Sequence, residues 1–134
     1  MAERDTYDML DSISYYDDGE VIFVEESRGD EMYVIQSGEV ELSQMINNEK
    51  RVLTILGKDS FFGEMALLSH RPRTATATAI GRTALLPFDR EAMLKRIETN
   101  PRFALTLLNA LSERLAETTS KLVAMMERNR DEQT

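Results

Sequence analysis

The residues best suited to chemistry lie in one stretch, residues 62–79, FGEMALLSHRPRTATATA. Gly63 has no side chain, so a ligand can approach its backbone closely. Glu64 is an acceptor-only group suited to hydroxyls, and Arg73 offers a planar fork of donors suited to a phosphate. Between them, Met65-Ala66-Leu67-Leu68 forms a short apolar turn, too short for an independent helix. The N–H groups at the start of such a turn aim outward and favour an anion. An acceptor for a sugar hydroxyl and a cation for a phosphate, on one cassette, point to a sugar phosphate.

The elements that must hold this cassette are mostly strands. Val21–Val24, Met32–Gln36, Val40–Met45 and Arg51–Leu56 are β-rich runs, separated by turn signals at Asp17-Asp18-Gly19, Gly29, Ser37-Gly38 and Asn47-Asn48. After the polar tip Ser69-His70-Arg71-Pro72, the alternation Thr74-Ala75-Thr76-Ala77-Thr78-Ala79 predicts a strand with a small apolar face, and Ala84–Phe88 predicts a closing one after Gly81-Arg82. Short strands at close spacing argue for an all-β barrel or sandwich. Residues 1–18 are acidic, and Tyr7, Leu10 and Ile13 suggest a short helix or an ordered arm there.

Helices follow. Asp89 is placed to cap one over 90–99, and Asn100-Pro101 ends it and starts another. Residues 101–130 contain no Gly and no internal Pro. Within them Leu108, Leu111, Leu115, Thr118, Leu122, Met125 and Asn129 repeat at alternating spacings of three and four. That is a heptad seam, expected to pack against a partner helix. About thirty residues span roughly 45 Å, longer than a small domain is wide, so a homodimer through this helix is expected.

Composition narrows the function classes. At 134 residues the chain is read as one domain. It has no cysteine, hence no disulfide or thiol chemistry, and its single histidine, His70, argues against a zinc site. The start, MAERDTYDML, has no signal-peptide pattern, and no apolar run reaches the ~18 residues of a membrane span, so the expected location is cytoplasmic. A net charge of −8, from 24 acidic and 16 basic residues, opposes nucleic-acid binding. No catalytic set of residues emerges, no metal site is expected, and the chain is read as a non-enzyme.

At Phe62-Gly63-Glu64-Met65-Ala66-Leu67-Leu68, three residues, then Pro72-Arg73-Thr74-Ala75, the sequence resembles the phosphate-binding cassette of the cyclic-nucleotide-binding domains. This is the family of the sensor domain of the catabolite activator protein and of the regulatory subunits of cyclic-AMP-dependent kinase. The family's β-roll motifs match as well, at Gly19–Phe23 and Gly29–Val40. The resemblance implies a mainly β fold with helices. In it a β-roll (a double-stranded β-helix or jelly roll) over 19–88 carries the cassette at 62–75, and C-terminal helices over 89–134 follow. It implies that Glu64 accepts from the ribose 2′-hydroxyl and that Arg73 pairs with the cyclic phosphate. The N–H groups of Ala66 and Thr74 reach the phosphate too, and Gly63 and Met65 complete the cassette. By position, Leu53 and Leu56 line an apolar wall, and Thr118 and Thr119 match a hydroxyl pair that touches the base. The DNA-reading domain that follows this helix in the transcription factors has no counterpart in these residues. Two departures fall at turns: Glu26 and Asp59 stand where the family often has Gly.

Two readings follow. One is a regulatory module binding a cyclic nucleotide, with cyclic AMP favoured over cyclic GMP, that signals to an unidentified downstream protein. Thr74 does not decide the nucleotide, since a hydroxyl there accompanies cyclic GMP in eukaryotic kinases and cyclic AMP in many bacterial relatives. The other is a non-binding dimeric scaffold of the same fold, with Glu64 and Arg73 paired as an internal brace.

Overall fold

The computed structural model describes residues 13–132. Among them six strands and three helices follow in order: β1 (Ser14–Tyr16), β2 (Val21–Phe23), β3 (Met32–Ile46), β4 (Glu49–Leu56), β5 (Phe61–Phe62), α1 (Glu64–Ser69), β6 (Thr76–Phe88), α2 (Arg90–Thr99) and α3 (Arg102–Glu132). All strand pairs are antiparallel. The sheet runs β1-β6-β3-β4, with β2 also on β6 and β5 on β3. The mainly β fold with a β-roll and a long C-terminal helix, expected from the sequence, is therefore observed.

Two expected turns are bends inside continuous strands. Ser37-Gly38 does not separate two strands; β3 runs through it, with register shifts at Ile35/Ser37 and Ser37/Glu39. Gly81 likewise lies within β6. Gly38 and Gly81 take φ of 84° and 67°, which a side chain would resist, and a left-handed residue in a strand bends it without breaking its pairing. The turn at Asn47-Asn48 is a true hairpin tip, with φ of 53° and 64° at the two asparagines and Ile46 opposite Glu49. Within the acidic N-terminal stretch, residues 14–16 form β1 and pair with β6, Tyr15 opposite Ala84 and Tyr16 opposite Thr83. Aromatic residues beside an open strand edge favour that pairing. Tyr7 and Leu10 lie outside the described residues.

The chain divides into two compact units, one reaching Met93 and the other starting at Leu94. In the first, Ile35, Val40, Phe62, Ala77 and Leu85 form the core, with Phe23, Tyr33, Leu42 and Leu56 packed against it. The Thr-Ala alternation behaves as its period dictates: Ala75, Ala77 and Ala79 are buried and Thr74 is exposed. Asp89 caps α2 by accepting from the Ala92 N–H at 2.7 Å. In the second unit α3 is 31 residues long, and Leu108, Leu115, Leu122 and Met125 of its seam are exposed.

Candidate functional site

The site is built around Arg73, which enters it between the end of α1 and the start of β6. Its backbone is fixed to the loop after β2. The Arg73 N–H donates to the Ser27 carbonyl at 2.8 Å, and its own carbonyl accepts from the Glu26 N–H at 2.7 Å. The side chain is 5% exposed. Nη1 donates to the Glu31 carbonyl at 2.7 Å and to the Gly63 carbonyl at 3.3 Å. Cζ lies 4.1 Å from the centre of the Phe23 ring and 5.9 Å from that of Tyr33. Nε is buried with no hydrogen-bond partner among the described residues.

Two glycines shape this cradle. A Cβ on Gly29 would stand 2.8 Å from Nε and 2.9 Å from Cζ of Arg73, and one on Gly63 would stand 2.7 Å from Nη1. Neither contact is tolerable without displacing the guanidinium. Gly63, at φ 83°, also supplies the left-handed residue that starts α1. The six residues of α1 form a helix here because Ala66 and Leu67 are buried, not through intrinsic propensity.

The electrostatics are those of a desolvated cation. Burial pulls the Arg73 guanidinium below the ordinary arginine range, and Tyr33, Glu31 and Asp30 oppose that shift. Burial pushes the Glu31 carboxyl up, helped by Asp30 and Asp89 and opposed by Arg73. A guanidinium remains charged in any case, so the cradle keeps a positive charge with an unused N–H in a low-dielectric setting. Such a group receives an anion strongly. The residues present thus fit a bound phosphate: the orphaned Nε is a donor for it.

The other expected site residues fall as follows. Gly63, Glu64, Met65 and Ala66 are contiguous with the cradle at the start of α1, and Thr74 follows Arg73. Leu56 packs on the core and Leu53, on the same strand, is exposed. Thr118 and Thr119 lie on α3, in the second unit. The cassette tip is tied down by Arg90, whose Nη2 donates to the Leu67 carbonyl and meets His70 Nε2, both at 3.1 Å. Because a guanidinium only donates, His70 Nε2 accepts. A cavity of about 310 Å³, lined by Arg28, Gly29, Asp30, His70 and Arg71, adjoins the cradle at Gly29. Among the described residues no cluster of three or more His, Cys, Asp or Glu is placed to hold a metal, and no helix is long and apolar enough to cross a membrane.

Inspection of the residues alone missed the roles of Phe23, Gly29 and the Glu31 carbonyl. The signal for the first two was available, since both lie in the β-roll motifs, but those motifs read as framework. A backbone carbonyl leaves no mark on residue type.

A β-roll with a buried, anion-ready arginine behind a glycine-led cassette defines a small-molecule sensor fold. The chain belongs to the cyclic nucleotide-binding domain family, whose model matches residues 13–100. It is similar to a CRP-like cAMP-activated global transcriptional regulator of Mycobacterium tuberculosis, 32% identical over 81% of this chain and 49% of that one. It is also similar to the cGMP-dependent protein kinase egl-4 of Caenorhabditis briggsae, 43% identical over 67% of this chain and 12% of that one. Among solved structures it resembles the Thermus thermophilus catabolite activator protein, with a TM-score of 0.78 and 32% identity over 93% of this chain and 60% of that one. The chain spans about half the length of the bacterial regulator.

Proposed function

We propose that this chain is a regulatory module that binds a cyclic nucleotide, cyclic AMP in preference to cyclic GMP, and passes the event to a partner protein. The observation that carries the reading is the state of Arg73, a buried cation anchored by carbonyls with an unpartnered Nε. In this reading Arg73 and the N–H groups of Ala66 and Thr74 hold the cyclic phosphate. Glu64 accepts from the ribose hydroxyl, Gly63 and Met65 complete the cassette, and Leu53 and Leu56 give apolar contact. Thr118 and Thr119 are assigned to the base on the family resemblance alone.

The preference for cyclic AMP draws on the bacterial relative, a cAMP-activated regulator. The kinase relative is named for cyclic GMP, so the preference needs its own test. The exposed leucine seam of α3 supports a homodimer. The reading treats the chain as one sensing module, without enzymatic activity, at work in the cytoplasm. Ligand binding would shift a two-state equilibrium in the module, which is all a sensor requires.

The test is thermal unfolding of ligand-free protein with and without each nucleotide. A ligand at a hundred times its Kd adds about 2.7 kcal/mol, which for a domain of this size raises Tm by several degrees. A larger rise with cyclic AMP than with cyclic GMP at equal concentration supports the reading. No rise with either at millimolar concentration refutes it and favours the scaffold.

A further inference from the structure

The two hydrogen bonds that hold the Arg73 side chain both leave from one nitrogen, Nη1. Those bonds anchor one end of the guanidinium, while Nε has no hydrogen-bond partner among the described residues. A phosphate is recognised by two donors of the fork at once, so the plane matters as much as the position. A ring packed on its face adds to that restraint. Among the described residues the Phe23 ring, with its centre 4.1 Å from Cζ, lies at stacking distance, and Tyr33, at 5.9 Å, is farther off. Phe23 is itself held by its neighbours, with ring centres 5.7 Å from Phe62 and 6.1 Å from Tyr33, while Tyr33 and Phe62 stack at 5.3 Å. These three rings come from β2, β3 and β5, so the floor under Arg73 is built by strands of the β-roll, with Phe62 also opening the cassette.

We propose that Phe23 is a positioning residue that fixes the plane of the Arg73 guanidinium for the incoming phosphate. The proposal rests on the cyclic-nucleotide reading above. It also accounts for arginine at position 73: a lysine ammonium has no plane to set, and a single point of charge would waste the floor. In the free protein the stacked ring keeps Arg73 in its receiving pose, so losing the stack weakens binding through lost preorganisation and leaves the contacts themselves unchanged.

The test replaces Phe23 by mono-, di- and trifluorinated phenylalanine. Fluorine drains the negative face of the ring while nearly preserving its shape. Cyclic AMP affinity is measured by calorimetry, alongside Tm without ligand. For a desolvated cation–π contact the expected loss of affinity across the series is about tenfold to thirtyfold, rising stepwise with fluorine count; the contact is also present in the free protein, so ligand-free Tm falls with it and affinity is the deciding readout. A purely structural Phe23 would leave affinity level across the series, and that result overturns the proposal. If the natural protein binds no nucleotide, the series is read instead on the Arg73 Nε–H resonance and its solvent exchange. Exchange that quickens with each fluorine supports the positioning role while the nucleotide reading falls; unchanged exchange overturns the positioning role as well.

Discussion

Replacing Gly29 with alanine should cut nucleotide affinity far more than it cuts stability. Gly29 has ordinary negative-φ freedom to accept alanine, so the backbone is not strained. The added methyl instead meets the Arg73 side chain, 2.8 Å from Nε and 2.9 Å from Cζ, and closer still to Nη2. Ordinary contact begins at 3.4 Å, so Nε must retreat by about 0.6 Å (3.4 minus 2.8) and Nη2 by more. The Nη1 bond to the Gly63 carbonyl, already 3.3 Å long, cannot absorb such a shift. A charge-assisted hydrogen bond is worth about 1.5–3 kcal/mol, so losing one between Arg73 and the ligand weakens binding by roughly tenfold to a hundredfold. The guanidinium is the far end of a flexible side chain, so the fold itself should lose no more than about 1–2 kcal/mol. Titration calorimetry with cyclic AMP, paired with thermal unfolding without ligand, reads both quantities. Gly57→Ala is the control, since nothing lies within 4 Å of its added methyl. Full affinity in Gly29→Ala would show that the geometry of the Arg73 cradle does not govern binding.

Other outcomes follow from the same structure. Glu26 holds φ 69° at a turn, a conformation that disfavours a side chain by about 1–2 kcal/mol, so Glu26→Gly should raise Tm; a fall would show that the turn is not strained. Thr83 is fully buried, with its hydroxyl 3.1 Å from both the Glu39 and Gly81 carbonyls; Thr83→Val should lower stability by about 1–2 kcal/mol in chemical denaturation and leave affinity unchanged. The Glu31 carboxyl is raised in the folded protein, chiefly by burial. Its contribution to stability is therefore complete below the ordinary glutamate range and is lost as pH rises through the raised folded value. Glu31→Gln should gain stability relative to the natural protein as pH climbs through that window, and a constant difference between the two would contradict the assignment.

Much of this architecture was legible because its signals are periodic or local. The Thr74–Ala79 alternation, the Asn47-Asn48 tip, the Asp89 cap and the length of α3 each follow from residue type at fixed spacing. The errors came where one residue has two uses. Glycine in a left-handed conformation can end a strand or merely bend it, and only the β3–β6 register shows that Gly38 and Gly81 bend. Glu26 and Asp59, noted as departures from the family's glycines, still adopt φ of 69° and 72°. The backbone shape at those turns is thus set by the surrounding pairing and not by the residue. The cassette itself was readable from its motif, but the cradle was not. Phe23, Gly29, Glu31 and Gly63 come from separate parts of the chain and meet only when β2, β3 and the cassette fold together.

The central claim is that the buried Arg73 receives the phosphate of a cyclic nucleotide. Titration calorimetry of ligand-free natural protein and of Arg73→Ala with cyclic AMP tests it most directly, with thermal unfolding to confirm that the variant folds. The account predicts saturable binding by the natural protein and loss of at least a hundredfold in affinity in a folded Arg73→Ala. Equal affinity in the two proteins, or no binding by the natural one, would contradict it.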